Sequence, residues 1–486
     1  MEILDRDLQS IQEARDLIKK AGEAQGKYAM FSMEEVDRIV ETVAKAASNE
    51  SESLAILAVE ETGYGNAKDK TEKNKLASDR LYDYIKDMKT VGVINEDRER
   101  GIVEIGTPLG VITALIPSTN PTSTTIYKAL IALKSGNAII FSPHPGAPKC
   151  IMKTVEILEK AAVENGAPKG LISCLSTITM DATTELMKNR HVATILATGG
   201  SAMVRAAYSS GNPALGVGPG NVPAYIERTA DVEKAVSRIF ASKTFDNGTI
   251  CASEQSIITE KIIEKKVKEE IVKQGGYFLS GDKLEKIVKI METHSGSMNP
   301  VIVGKTAKDI ALMAGIEIPN NTRVLLCEEK GVGKEYPFSK EKLTSLLGFY
   351  AVENWQEAYD LSRRLLRHGG LGHSLAIHSN SEEVIQQFSS HIPVSRILVN
   401  TPSSQGAVGI TTNLAPSLTL GCGAVGGSAS SDNITPKNLI NIRRVAYGID
   451  GLRGTTKELN VPKGIKDVDI DTLTKIIVEK IKELSN

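Results

Sequence analysis

The chain has 486 residues, more than one hydrophobic core ordinarily fills, so at least two domains are expected. Hydrophobic residues at 41% and charged residues at 24% exclude a disordered or fibrous protein, and 58 Lys and Arg against 59 Asp and Glu leave a net charge of -1, which offers no field to gather nucleic acid or an anionic membrane. No apolar run reaches the roughly 18 residues that span a bilayer, and the charged start MEILDRDLQSIQEAR does not suit a signal peptide, so a cytoplasmic protein acting on small molecules is expected.

Residues 4–21 and 33–63 carry apolar residues at helical spacing. From 102 onward short β-rich runs alternate with helical stretches: GVITALIP, helical KALIALKSG, NAIIFSPHP, a helix over 147–165, LISCLS, helical DATTELMKN, HVATILA and a helix over MVRAAYSS. Such alternation predicts a parallel, doubly wound nucleotide-binding unit. A second α/β block is predicted from Phe245, with strands at SEQSIIT, NPVIVG, RVLLCE and SLLGFYAV and helices over 260–274 and 283–293. Residues 451–466 read as a polar linker. In the last helix, 468–485, Ile470, Leu473, Ile477, Ile481 and Leu484 form one apolar stripe that calls for a partner.

Three features carry chemistry. Cys251 follows a Gly-containing turn at the junction of the two blocks, where clefts lie; read alone it is also compatible with a buried inert cysteine. Cys150, Cys174, Cys327 and Cys422 read as packing residues, and the five cysteines show no CxxC or CxxH spacing, so neither disulfides nor a metal site is expected. Between Glu185 and Glu227 there is no Asp or Glu, although the average density would place about five there. This stretch holds Gly199, Gly200, Gly216 and Gly218, and suits a cofactor that carries a pyrophosphate. Within it, the turn Thr198-Gly199-Gly200-Ser201 joins a strand to a helix N-terminus and is the phosphate-side candidate, with a plain βα turn as the alternative.

The segments FDNGTICASEQS, ALGVGPGNVPAYI, IPSTNPTSTTIYKALIALKSGNAIIFSPHP, GGLGHSLAIHS, LAPSLTLGCG and GGSASSDNITPKNLIN resemble the CoA-acylating branch of the aldehyde dehydrogenase superfamily. This branch acts on acetaldehyde, propionaldehyde or succinate semialdehyde and includes the aldehyde half of bifunctional aldehyde–alcohol dehydrogenases. The resemblance runs from about residue 4 to 448. It implies an α/β aldehyde dehydrogenase fold: a Rossmann-like NAD(P)- and CoA-binding domain over 1–244, a catalytic domain over 245–425, an oligomerisation segment over 426–448, a linker over 449–466 and an amphipathic helix over 467–486.

It further implies Cys251 as nucleophile. Asn120 would complete an oxyanion hole with the Cys251 amide, although counting back from Pro121 puts Thr119 on the register of the asparagine in ordinary aldehyde dehydrogenases, which leaves two candidates. Glu341 matches the glutamate that holds the nicotinamide ribose, and would otherwise read as a solvated acid. His373 matches a histidine of the acylating branch that assists the CoA thiol, or else is a satisfied histidine after a Gly turn. Ser142 and His144 stand at the adenosine ribose, where hydrolytic relatives have a lysine, so NAD is expected with NADP open. The register where those relatives place a water-activating glutamate reads Gly216-Val217-Gly218-Pro219-Gly220-Asn221. Without a carboxylate there, a thiol acceptor is favoured over water.

The expected reaction is oxidation of a short-chain aldehyde, acetaldehyde or propionaldehyde, by NAD and CoA to an acyl-CoA, with a polar aldehyde such as succinate semialdehyde or sulfoacetaldehyde as the alternative. A hydrolytic enzyme and a catalytically dead scaffold are the rivals. The segment 400–420 with Gly423, Ala424 and Val425 is expected to line the aldehyde entrance. Similar tails on acylating relatives act as addresses into bacterial microcompartments, so the C-terminal helix is expected to meet a shell protein, with residues 4–21 as a competing address. Homodimers or homotetramers are expected.

Overall fold

The computed structural model describes residues 5–293 and 298–449. Its first helix, Arg6–Tyr28, starts where Asp5 accepts the amides of Asp7 and Leu8. Ala14, Ile18, Ala21, Ala24 and Tyr28 form its buried stripe, and Ser10 bonds Thr179 at 2.6 Å. The helix expected as a competing address thus packs one stripe on its own chain, while Leu8 stays exposed. The expected helix over 33–63 is two helices, Met33–Asn49 and Ser51–Thr62, the first opened by a Ser32–Glu35 capping box and the second closed by Gly63 at φ 68°.

The strands follow as β1 (Gly92–Asp97), β2 (Ile102–Pro108), β3 (Val111–Leu115), β4 (Ala138–Ser142), β5 (Ile172–Cys174), β6 (Val192–Thr198) and β7 (Ala214–Val217). Next come β8 (Val222–Ile226), β9 (Glu254–Glu260), β10 (Gly276–Phe278), β11 (Val324–Glu328), β12 (Leu346–Val352), β13 (Gly372–His378), β14 (Val394–Val399) and β15 (Ile440–Ala446). A five-stranded parallel sheet has the order β5-β4-β3-β6-β7. That is the doubly wound order, and its switch point lies between β3 and β6, where a crevice opens beyond the strand C-termini. A seven-stranded parallel sheet has the order β10-β11-β12-β9-β8-β13-β14. β3, β4 and β9 are buried at every position, as strands covered on both sides are.

β8 and the helix Val232–Thr244, both within 1–244, join the seven-stranded sheet: β8 pairs with β9 and β13, and the helix packs Val236, Ile239 and Phe240 onto it. A short buried strand carries no mark of which sheet it will join. NPVIVG is a 3-10 turn over Pro300–Ile302 rather than a strand: Pro300 has no amide to give a ladder, and Asn299 caps the turn by accepting from Val301.

Among the described residues, those up to 92 with those of 106–442 form one compact unit, which contains both large sheets; 93–105 with those from 443 to 449 form the other. The three-stranded sheet has the order β1-β2-β15. β15, inside the expected oligomerisation segment, is exposed along nearly its whole length. The linker from 450 and the amphipathic helix over 467–486 lie outside the described residues. No helix among the described residues is long and apolar enough to cross a membrane.

Candidate active site

The C-termini of β3, β4, β6 and β7 open into a cavity of about 680 Å³. Its walls include Asn120, Thr119, Ser142, His144, Thr198, Gly199, Gly200, Gly218, Cys251 and Glu341. Added Cβ atoms at Gly200 and Gly218 would meet nothing within 4 Å, so both leave open space that a ligand can use. Gly200 is also the N-cap of the helix Ser201–Tyr208, whose first amides favour an anion. The Thr198 hydroxyl is buried with no hydrogen-bond partner among the described residues. A free hydroxyl, open glycines and a helix N-terminus together fit a dinucleotide pyrophosphate.

Two residues predicted on the cofactor side fall outside this wall. Ser201 begins the helix but does not line the cavity. Gly216 faces the other way: a Cβ there would lie 2.8 Å from Val204 and 2.9 Å from Tyr208, and its carbonyl and amide bond the Tyr208 hydroxyl at 3.3 and 2.9 Å. No side chain, acidic or otherwise, fits at 216.

Cys251 follows a turn in which Asp246 and Asn247 both take positive φ, 47° and 53°, ahead of Gly248 at 79°. This turn delivers the cysteine just before β9, half-buried in a cluster with Ile250, Val408, Leu420 and Cys422. Gly220 lies so close that a Cβ on it would stand 2.1 Å from the Cys251 carbonyl oxygen and 3.2 Å from the His373 ring. His373, at the start of β13, does not line the cavity itself but places Nε2 3.2 Å from Cys251 Sγ.

The other His373 nitrogen, Nδ1, lies 3.0 Å from Ser374 Oγ, which also accepts from Arg396 Nε at 3.4 Å. With the Cys251 thiol facing Nε2, the network places the imidazole proton on Nδ1. Arg396, 4% exposed, donates further to the carbonyls of His373 at 3.2 Å and Gly421 at 2.6 Å. Burial pushes the Cys251 thiol up to about 12; the Glu341 carboxylate adds to this and Arg396 opposes it. Burial, helped by Arg396, holds the His373 imidazole down at about 3. The resting pair is therefore an uncharged thiol against an uncharged imidazole.

Glu341 Oε1 accepts the Gly220 amide at 2.8 Å, and burial raises its carboxyl to about 7 against the pull of Lys243 and Lys342. Ser142 Oγ bonds Thr183 Oγ1 at 2.9 Å, and His144 Nδ1 accepts the Gly146 amide at 3.0 Å. Asn120 turns its Nδ2 to the Thr249 carbonyl at 3.1 Å while its Oδ1 accepts from Lys73 Nζ at 2.6 Å. Cys422 is buried and gives no hydrogen to the cavity, its Sγ lying 3.6 Å from the Leu420 carbonyl. The sequence offered no pointer to Arg396, Ser374 or Lys73. An arginine in a strand and a lysine in AKDKTEKNK both read as solvated charges until the fold buries them.

A family model described as the aldehyde dehydrogenase family matches residues 3–325. A bifunctional aldehyde-alcohol dehydrogenase of Escherichia coli is 42% identical over 90% of this chain and 50% of its own length, so the chain spans about half of that relative. An acetylating succinate-semialdehyde dehydrogenase of Clostridium kluyveri is 37% identical over 89% of this chain and 95% of its own. The crystal structure of an acetylating aldehyde dehydrogenase from Geobacillus thermoglucosidasius superposes with a TM-score of 0.90 at 51% identity, covering 94% of this chain and 100% of that one.

Proposed function

The chain belongs to the aldehyde dehydrogenase family, and from that premise we propose that it oxidises a small uncharged aldehyde to an acyl-CoA through a thioester on Cys251. The observation that carries this reading is the pairing of Cys251 Sγ with His373 Nε2 at 3.2 Å beside a cavity whose sole lining carboxylate among the described residues, Glu341, already accepts an amide.

Because thiol and imidazole are both neutral at rest, His373 takes the thiol proton as sulfur attacks the carbonyl carbon rather than beforehand. The charge that develops on the carbonyl oxygen meets the Cys251 amide and the Asn120 Nδ2 group, whose two hydrogens at rest go to the Thr249 carbonyl at 3.1 Å and to Thr119 Oγ1 at 3.2 Å. NAD, when bound, supplies the hydride acceptor. Thr198 and the amides at Gly200–Ser201 would hold its pyrophosphate, Glu341 its nicotinamide ribose, and Ser142 and His144 the adenosine end, where no lining carboxylate stands to reject a 2′-phosphate. NADP use is compatible with that end. CoA then brings its own thiol: once His373 has released the first proton to solvent, it can take the CoA proton as the CoA sulfur attacks the thioester and return it to the Cys251 sulfur that leaves.

Water finds no activating carboxylate in the register of the hydrolytic glutamate, because the segment facing Cys251 approaches as bare Gly220 backbone and 216 is closed to any side chain. Acetaldehyde or propionaldehyde suits the acyl side: Ile250, Val408, Leu418 and Leu420 are apolar, and no Lys or Arg among the described residues lines the cavity. The carboxylate of succinate semialdehyde or the sulfonate of sulfoacetaldehyde would lose water there with no cation to replace it. For the tail we retain the reading of residues 467–486 as an address to a microcompartment shell protein, tested by whether a fluorescent fusion of 451–486 forms puncta. A homodimer or homotetramer is the proposed assembly.

The decisive experiment supplies aldehyde and NAD without CoA. A burst of about one NADH per subunit should be followed by near arrest, and CoA should restore turnover. Steady conversion to free acid at the CoA-supplied rate would overturn the acylating reading.

A further inference from the structure

Two lysines on the helix Ala67–Lys75 contradict its charged sequence. Lys70 and Lys73, one turn apart on the same face, are 2% and 1% exposed, and both reach the fully buried carboxylate of Asp246. Two ammonium groups on one buried carboxylate leave donors over, and a buried donor needs an acceptor. The surplus goes to one place. Lys70 Nζ donates to the Thr119 carbonyl at 2.9 Å and Lys73 Nζ to Asn120 Oδ1 at 2.6 Å.

An ammonium only donates, so Asn120 must present oxygen to Lys73 and turn its NH2 the other way. Asn120 is also the N-cap of the helix Pro121–Lys134, where an asparagine oxygen ordinarily accepts a helix amide, yet it makes no such bond. Lys73 holds that oxygen instead. Lys73 Nζ also donates to Thr249 Oγ1 at 3.1 Å, and Thr249 Oγ1 donates to Asp246 Oδ2 at 2.7 Å. Asp246 Oδ1 accepts the Asn66 amide at 2.9 Å. Two adjacent non-glycine residues at positive φ persist only where their surroundings over-determine them, and these bonds to Asp246 do so. One buried charge cluster thus orients the Asn120 amide and pins the turn that carries Cys251.

We propose that Lys73 is a positioning residue for acyl transfer: it locks the Asn120 amide with its NH2 turned to the Thr249 carbonyl at 3.1 Å and Thr119 Oγ1 at 3.2 Å, on the side of Cys251 where the reacting carbonyl oxygen would take over one of these hydrogens, and it stands as a cation behind that amide. This rests on the reading of Asn120 as the oxyanion donor. The test is a double-mutant cycle on the full chain, read as the single-turnover rate of NADH formation with saturating aldehyde and NAD. Asn120→Ala should slow that rate by about 10²–10³. Lys73→Met should slow it by about tenfold or more with the KM for NAD unchanged, and by no more than about twofold in the Asn120→Ala background, because a residue that acts through another loses its effect with it. Lys73→Gln keeps a donor without the charge and should recover part of the rate; if the Met variant does not fold, the cycle is run with Gln. An equal loss from Lys73→Met or Lys73→Gln in both backgrounds would mean a structural role and overturn the proposal, leaving Asn120 in place. An Asn120→Ala enzyme as fast as the parent would remove the oxyanion reading and this proposal with it.

Discussion

Glu341 is a carboxylate kept where burial works against its charge. Its folded pKa near 7 lies above the ordinary carboxylate value, so in the native state it holds a proton that the unfolded chain has already released between about pH 4.5 and 7. The stability that this group contributes is therefore complete below pH 4.5 and is lost as pH rises through 7. Glu341→Gln keeps the oxygen that accepts the Gly220 amide and removes the charge. It should raise the Tm at pH 8 and leave it unchanged near pH 4.5. If the carboxylate holds a ribose, the KM for NAD of the parent enzyme should fall between pH 6 and 8 while that of the variant stays flat. A variant with the parent's pH slope would take Glu341 out of cofactor binding. The same charge raises the Cys251 thiol and so leaves a less reactive sulfur.

At the scale of elements, β7 and the helix Ser201–Tyr208 are clamped together through Gly216, with Tyr208 and Ser428 both bonded to its carbonyl. Gly216→Ala would drive a methyl into Val204 and Tyr208, an overpacking cost of about 1–3 kcal/mol. The helix must move to admit it, and Gly200 at its N-terminus moves too. A lower Tm together with weaker NADH binding is expected by fluorescence titration; a lower Tm with unchanged NADH affinity would separate this helix from the cofactor. Most elements were legible because strong periodicity needs no neighbours: the helix expected over 147–165 is Pro148–Glu164, and SEQSIIT is β9. NPVIVG misled because apolar β-branched residues look alike in a strand and in a turn held by Asn299 and Pro300.

For the molecule as a whole, β15 is an edge strand with Ile442 and Val445 exposed, next to exposed Tyr447 and Ile449. An apolar exposed edge invites another chain, and the segment 426–448 was expected to join subunits. Val445→Lys should reduce the mass seen by light scattering to that of a smaller assembly, whereas an unchanged mass would place the subunit contact elsewhere. Local order along the chain carried much of the rest. The βα alternation, the acid-free stretch before Glu227, the turn at Thr198–Ser201 and the setting of Cys251 were all present in the sequence, because each depends on residues close in the chain. Only the tertiary structure brought His373 to Cys251 from another strand, assigned β8 to the seven-stranded sheet and turned Lys70 and Lys73 inward onto Asp246. These depend on which distant backbone excludes water from a side chain, and a charge reads the same in sequence whether it ends in solvent or beneath the active site.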